Sequence, residues 1–188
     1  MRVYFVDAGK TAGKGKSDAR KDGLGQRIKA ACELANASDS PAIVWCVGNE
    51  ESKRLAEGIE GAVELRGEYD FERKEAIITA FADGTPFVGC PSVPIKVLVA
   101  KTSMCGLGVN LQRASRQIFA TATDNGTTFY QSVRRSYRFG QTQNVTIVVV
   151  RSEAEGNILQ KLRDQQDDAD GAWEGVVSVS KDAWAPRH

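Results

Sequence analysis

The chain has 188 residues and a mass of 20.4 kDa, with 25 Lys and Arg set against 24 Asp and Glu. That length suits one domain with a real core, and 41% hydrophobic with 26% charged residues is globular rather than disordered composition. The single His is His188, and the four Cys form no C-x-x-C pair, which excludes His-based triads, His-rich metal sites and the usual zinc and thioredoxin patterns.

Arg2–Val6 reads as a first strand, followed by a Gly- and Lys-rich stretch from Ala8 to Gly25 with the composition of a flexible basic linker. Arg27–Ala37 has helical spacing, with Ile28, Ala31, Cys32 and Ala35 on one side. Pro41 opens Ala42–Val47, a nearly continuous apolar run typical of a strand buried on both faces. Asn49 with Glu50 and Glu51 starts a helix through Leu55, Ala56 and Ile59. Ala62–Leu65 is a short strand, and Asp70 caps a helix that sends Phe71, Ile77, Ile78 and Phe81 toward a core. Lys96–Ala100, Gln117–Thr121 and Val145–Val150 are further strands, with a helix over about Thr128–Phe139 before the last. Ser152 and Glu155 form a capping box for a final helix to about Gln166. Strands alternating with helices predict an α/β fold with a mainly parallel sheet.

Two partial motifs fail on their spacing. Gly15-Lys16-Ser17 would need a Gly at position 10 to wrap a phosphate, and Lys10 stands there. The acidic run Gln166–Gly171 lacks both the first and the closing ligand of a calcium loop. With no secretory leader, Cys32, Cys46, Cys90 and Cys105 are expected to be reduced thiols of a cytoplasmic protein. No apolar run approaches the roughly 20 residues of a membrane helix, so no membrane partner is expected.

The balanced charge conceals a pattern. Residues 1–30 carry eight Lys and Arg against three acids, and residues 112–141 five against one, while 41–111 and 152–188 are acidic. Two basic segments in a neutral chain suit either a localised polyanion site or solvated faces. At helical spacing, Gln131, Arg134, Arg135 and Arg138 share one arc, opposite Phe129, Tyr130, Val133 and Tyr137. Arginines so grouped can grip one polyanion, or simply line a solvated amphipathic helix. Upstream, the strand ending at Lys101 runs into Thr102-Ser103-Met104-Cys105-Gly106-Leu107-Gly108-Val109-Asn110-Leu111. Its glycines permit close approach of backbone to phosphate or ribose, and they also suit a plain strand-to-helix turn.

Lys101–Leu111 followed by Gln131-Ser132-Val133-Arg134-Arg135-Ser136-Tyr137-Arg138-Phe139-Gly140-Gln141 resembles motifs V and VI of superfamily-two helicases. The Q-x-x-x-R-x-x-R-x-G-Q form is most similar to the Swi/Snf-type branch and to related phage-encoded helicases. Ala42–Ile59 is similar to motif IV, and Arg66-Gly67 to the step after it. Met104-Cys105-Gly106 replaces the family's Ala-Gly-Gly, and Asp124–Thr128 its Trp-Asn-Pro segment.

The resemblance implies a three-layer RecA-like fold, related to the P-loop NTPases, with helices on both faces of a mainly parallel sheet. Residues 26–170 would form the helicase C-terminal domain, 1–25 a strand and linker, and 171–188 a tail with room for an extra strand. Arg135 and Arg138 would be the arginine-finger pair acting on the γ-phosphate of ATP. Gly108, Asn110 and Gln131 would line the nucleotide, while Asn49, Arg66, Thr102 and Ser103 would touch the DNA or RNA backbone. No Walker A lysine and no DExx carboxylates occur in the chain, so ATP with Mg2+ would be held by an N-terminal RecA-like lobe in the same or another chain. The chain alone is then expected to be inactive. The alternative is a free-standing nucleic-acid- or partner-binding module that keeps the fold without ATPase activity. A small-molecule enzyme fits less well, because no nucleophile–base pair or dinucleotide glycine fingerprint can be assembled.

Overall fold

The computed structural model describes residues 1–8, 16–87, 94–107, 110–121 and 126–151. Among the described residues, six strands and four helices follow in the order β1 (Arg2–Asp7), α1 (Lys16–Asn36), β2 (Ala42–Cys46), α2 (Asn49–Gly58), β3 (Ala62–Leu65), α3 (Phe71–Asp83), β4 (Val97–Lys101), β5 (Arg116–Phe119), α4 (Gly126–Val133) and β6 (Thr146–Arg151). A 3₁₀ segment, Thr102–Leu107, follows β4. The strands form one sheet in the order β1-β6-β5-β2-β4-β3, and every pair is parallel.

Parallel strands need helical crossovers, which cover both faces, and the central strands β2 and β5 are buried along their whole length. Successive side chains therefore enter two separate cores. Ile43, Trp45, Leu98, Ala100, Phe119, Ile147 and Val149 pack with Ile77, Ile78 and Phe81 of α3 and with Phe129 and Val133 of α4. Ala42, Val44, Cys46, Val97, Val99, Ile118, Val148 and Val150 pack with Ile28, Ala31, Leu34 and Ala35 of α1 and with Leu55 of α2. This is the three-layer doubly wound architecture expected from the sequence.

Several local expectations change. Helix α1 begins at Lys16, inside the stretch that reads as a linker, while residues 9–15 lie outside the described set. Gly48, not Asn49, is the N-cap of α2; Glu51 reaches back to accept hydrogen bonds from the N–H groups of Val47 (2.9 Å) and Gly48 (3.2 Å). Asp70 does cap α3, accepting from the Arg73 N–H at 2.7 Å. Phe71, at the first position of that helix, points away from the core and is 73% exposed. Helix α4 stops at Val133, six residues short of the predicted end.

That early stop has an identifiable cause. Continuing the helix would require the Arg135 carbonyl to accept from the Phe139 N–H. Instead it accepts from the Leu111 N–H at 2.9 Å, a contact between two distant segments. The backbone tightens first, with Arg135 N–H bonding back to Ser132 (3.1 Å) and Ser136 N–H to Val133 (3.2 Å). Arg134, Arg135 and Arg138 accordingly sit on turns rather than on one helical face. The predicted helix after Ser152, the calcium-like run at 166–171, Cys90 and the 171–188 tail lie outside the described residues.

Candidate functional site

At the carboxyl edge of the sheet, the first turns of α2 and the ends of β3 and β4 surround a groove of about 410 Å³. It is lined by Asn49, Glu50, Lys53, Glu64, Arg66, Gly67, Glu68 and Lys101. The groove thus unites Asn49 and Arg66, and Lys101 places Thr102 and Ser103 next in the chain at the end of β4. Thr102 is 5% exposed, whereas Ser103 is open to solvent. Lys53 and Lys101 add two cations that the sequence did not single out.

Arg66 is held in position by its neighbours. Its Nε donates to Glu64 at 2.7 Å, and its guanidinium lies 3.6 Å from Glu68 and 5.8 Å from the Tyr69 ring. The hydrogen bond to Glu64 raises the pKa of Arg66 above its ordinary value, so the charge is permanent. The wall is fixed too: Glu51, 3% exposed, takes the Val47 and Gly48 N–H groups on one oxygen and the Thr121 hydroxyl on the other. Beneath it, Cys46 is a buried thiol whose pKa is pushed up to about 12, by burial first and the nearby Glu51 charge second.

A second cluster gathers at the opposite edge, where the chain enters β5. The turn carrying Arg135 and Arg138 is braced against Asn110–Gln112. Besides the Leu111–Arg135 contact, the buried Ser136 hydroxyl donates to the Leu111 carbonyl at 3.2 Å. Gln112 Nε2 donates to the carbonyls of Arg138 (3.3 Å) and Phe139 (2.8 Å), and Gln141 Nε2 to that of Gln112 (2.7 Å). The side chain of Asn110 is committed to the same brace: its Nδ2 donates to Gln112 Oε1 (2.8 Å) and its Oδ1 accepts from the Gln112 N–H (3.2 Å).

The stretch that carries these cations, residues 126–151, contains no Asp or Glu. Arg138 is exposed, Arg135 is half-buried, and the Nε of Arg135 is a buried donor with no acceptor among the described residues. Arg134 lies 5.4 Å above the Tyr130 ring. Aromatic side chains flank the arginines, with Tyr130 37%, Tyr137 41% and Phe139 fully exposed. Tyr130 and Tyr137 therefore do not form the buried opposite side that helical spacing suggested. Gln131 belongs to α4 and is exposed, and Gly108 lies outside the described residues.

The segment 102–115 connects the two clusters, leaving the carboxyl end of β4 and arriving at the amino end of β5. Helix α4 packs on its 3₁₀ portion. Below, Trp45 Nε1 donates to Gln117 Oε1 at 2.7 Å, and Gln117 Nε2 donates to the Val133 carbonyl at 3.0 Å. This buried relay fixes the end of α4, from which the arginine turn departs. Among the described residues, no group of three or more His, Cys, Asp or Glu could hold a metal ion. No helix among them is long and apolar enough to cross a membrane.

No family model matches the chain. Over 121 residues, 60% of the chain, it is 32% identical to the SNF2 domain-containing protein ENL1 of Oryza sativa subsp. japonica. Over 75 residues, 39% of the chain, it is 35% identical to the chromatin-remodeling ATPase INO80 of Drosophila melanogaster. The matched region spans 11% of the first relative's length and 5% of the second's. Among solved structures, the C-terminal part of the Fun30 ATPase domain superposes with a TM-score of 0.60 at 19% identity, covering 73% of this chain and 45% of that one. The C-terminal domain of S. cerevisiae Dbp5, in its complex with Gle1, gives 0.62 at 12% identity, covering 95% and 88%. The chain thus has the RecA-like fold of these C-terminal helicase lobes, and its sequence is similar to parts of SNF2 and INO80 ATPases. The groove gathers residues of the segments that resemble motifs IV and V, and the braced turn carries the segment that resembles motif VI.

Proposed function

We propose that this lobe is the second half of an ATP-dependent DNA helicase or translocase, completing the ATP site of a Walker-type first lobe while its own groove follows a nucleic-acid strand. The observation that carries the reading is the arginine turn: two guanidiniums on a cross-braced loop, one with a buried Nε that has no acceptor among the described residues. Preorganised donors of this kind stabilise charge that develops on a transferring phosphoryl group without having to reorganise during the reaction. Arg135 and Arg138 fill that role, with Gln131 and Gly108 beside the nucleotide. Asn110 acts there through Gln112. Magnesium and the bulk of ATP belong to the other lobe. The similarity to chromatin-remodeling ATPases supports this assignment.

At the other edge, Asn49, Arg66, Thr102 and Ser103, joined by Lys53 and Lys101, contact the phosphate backbone. The segment 102–115 then links strand contact to the arginine turn.

The test is ATP hydrolysis with a Walker-containing first lobe supplied in trans or by fusion. The isolated lobe should hydrolyse ATP negligibly, the completed enzyme should be active, and Arg138→Ala should lower kcat by about 10³-fold or more. Lys101→Ala should weaken nucleic-acid binding for all sequences and reduce the salt slope by about one. Robust hydrolysis by the isolated lobe that survives Arg138→Ala would sink the assignment. Nucleic-acid binding that ignores both arginines and depends on residues 8–22 would favour the free-standing binding module.

A further inference from the structure

The geometry points to Gln112 as the residue that positions Arg138. Arg138 lies on a turn whose own hydrogen bonds, among the described residues, come from Gln141: its N–H donates to the Arg138 carbonyl at 3.0 Å and its Nε2 to the Ser136 carbonyl at 3.2 Å. A turn of that kind leaves the direction of its side chains weakly determined. The constraint on the Arg138–Phe139 backbone from outside the turn is Gln112, whose Nε2 sits between the Arg138 and Phe139 carbonyls and donates to both. Two carbonyls converging on one point repel each other, and an amide NH₂ group is the neutral side chain that can satisfy both from one nitrogen.

The orientation of that amide is itself enforced. Its oxygen accepts from Asn110 Nδ2 at 2.8 Å, so the flipped rotamer would set oxygen against two carbonyls and NH₂ against NH₂. The Gln112 backbone is held at both ends, its N–H by Asn110 Oδ1 and its carbonyl by Gln141 Nε2. Gly140, at φ +90°, lets the turn fold over this side chain; a Cβ there would lie 3.7 Å from Gln112 Nε2. Gln112 thus fixes the backbone from which the Arg138 guanidinium projects, and touches no reacting group itself.

The kinetic side of this inference rests on the motor reading of Arg138; the structural side does not. Gln112→Met keeps the side-chain length and removes both polar functions, while Gln112→Glu keeps the acceptor for Asn110 and removes the donor. In the isolated full chain, both should raise hydrogen exchange at the Gln141 N–H by at least about 10-fold, leaving the Ile118 and Val148 amides unchanged. In the completed enzyme, both should lower kcat about 10- to 100-fold with KM for ATP changed less than about threefold, because a mis-aimed arginine is missed in the transition state. Gln112→Met added to Arg138→Ala should cost no further activity, since the two act as one unit. Unchanged exchange at Gln141, or an additive loss in the double variant, would overturn the proposal. Raised exchange in the Gln112 variants together with an inert Arg138→Ala would establish the hold on the turn and refute the motor reading instead.

Discussion

Gln117→Met tests the buried relay beneath the site. Gln117 is fully buried and makes two hydrogen bonds, accepting from Trp45 Nε1 and donating to the Val133 carbonyl. Methionine matches its length, so no large cavity opens, and the cost falls on the stranded polar groups. The Val133 carbonyl still accepts from the Ser136 and Tyr137 N–H groups at 3.2 and 3.0 Å, so its loss is small. The indole N–H of Trp45, a residue only 2% exposed, has no such reserve. An orphaned buried donor costs about 1–3 kcal/mol, a sizeable part of the 5–15 kcal/mol that typically holds a domain. With a urea slope of about 2 kcal/mol/M, the unfolding midpoint followed by circular dichroism should fall by about 1 M. Trp45→Phe combined with Gln117→Met removes both partners and should cost less than the sum of the single changes by about 1–2 kcal/mol. A midpoint shift under about 0.2 M for Gln117→Met, or full additivity in the pair, would refute the relay as a source of stability.

Three further outcomes are expected. A Cβ at Gly58 would lie 2.7 Å from Cys32 Sγ, so Gly58→Ala should destabilise by about 1–3 kcal/mol in thermal melts; adding Cys32→Ala, which leaves only a 3.7 Å contact, should recover most of it. Gly84 ends α3 in the left-handed region at φ +68°, and a Cβ there would meet Arg113 Nε at 3.0 Å. Gly84→Ala should therefore cost about 1–2 kcal/mol and disturb the Arg113 hydrogen bonds to the Phe81 and Ile95 carbonyls, visible as faster exchange near the end of α3. Cys46, with its pKa raised to about 12 against an ordinary 9.0, keeps its proton in the fold while the unfolded thiol ionises. That contribution to stability is complete below pH 9 and declines as pH rises from about 9 to 12, so Cys46→Ala should flatten the alkaline limb of the stability profile. A native thiol assay at pH 8 should leave Cys46 unmodified.

Much of the lobe can be read from its sequence because the sheet is buried on both faces. Ala42–Cys46, Val97–Lys101 and Thr146–Arg151 are apolar runs too short for helices, and their alternation with helical patterns dictates parallel pairing. Asp70 announces α3 because a side-chain cap is a local event. The misses are tertiary. No local pattern tells that the Arg135 carbonyl is claimed by Leu111, 24 residues upstream, yet this contact ends α4 and moves three arginines off a common helical face. Phe71 fits the helical period but sits at the first turn, beyond the reach of the core. Gln112 is invisible by type, being an ordinary polar residue whose partners are carbonyls brought to it by the fold. Asn110 is legible only through the motif V resemblance, and its side chain braces Gln112.

The pairing of β1 with β6 carries a consequence for how the lobe is made. Asp7 and Arg151, which close that ladder with a 2.6 Å ion pair, are 144 positions apart. At roughly 5–20 residues per second, a ribosome emits β1 some 7–30 s before its partner exists. During that interval the strand can neither enter the sheet nor hide the backbone donors that parallel pairing will use. The other strands β2 to β5 can pair among themselves before β6 is made, whereas β1 has no partner in the sheet until then. Until β6 emerges, the backbone edges of β1 and of β5 that it will join stand open, and it is there that a chaperone, or another chain's strand, would find its opening.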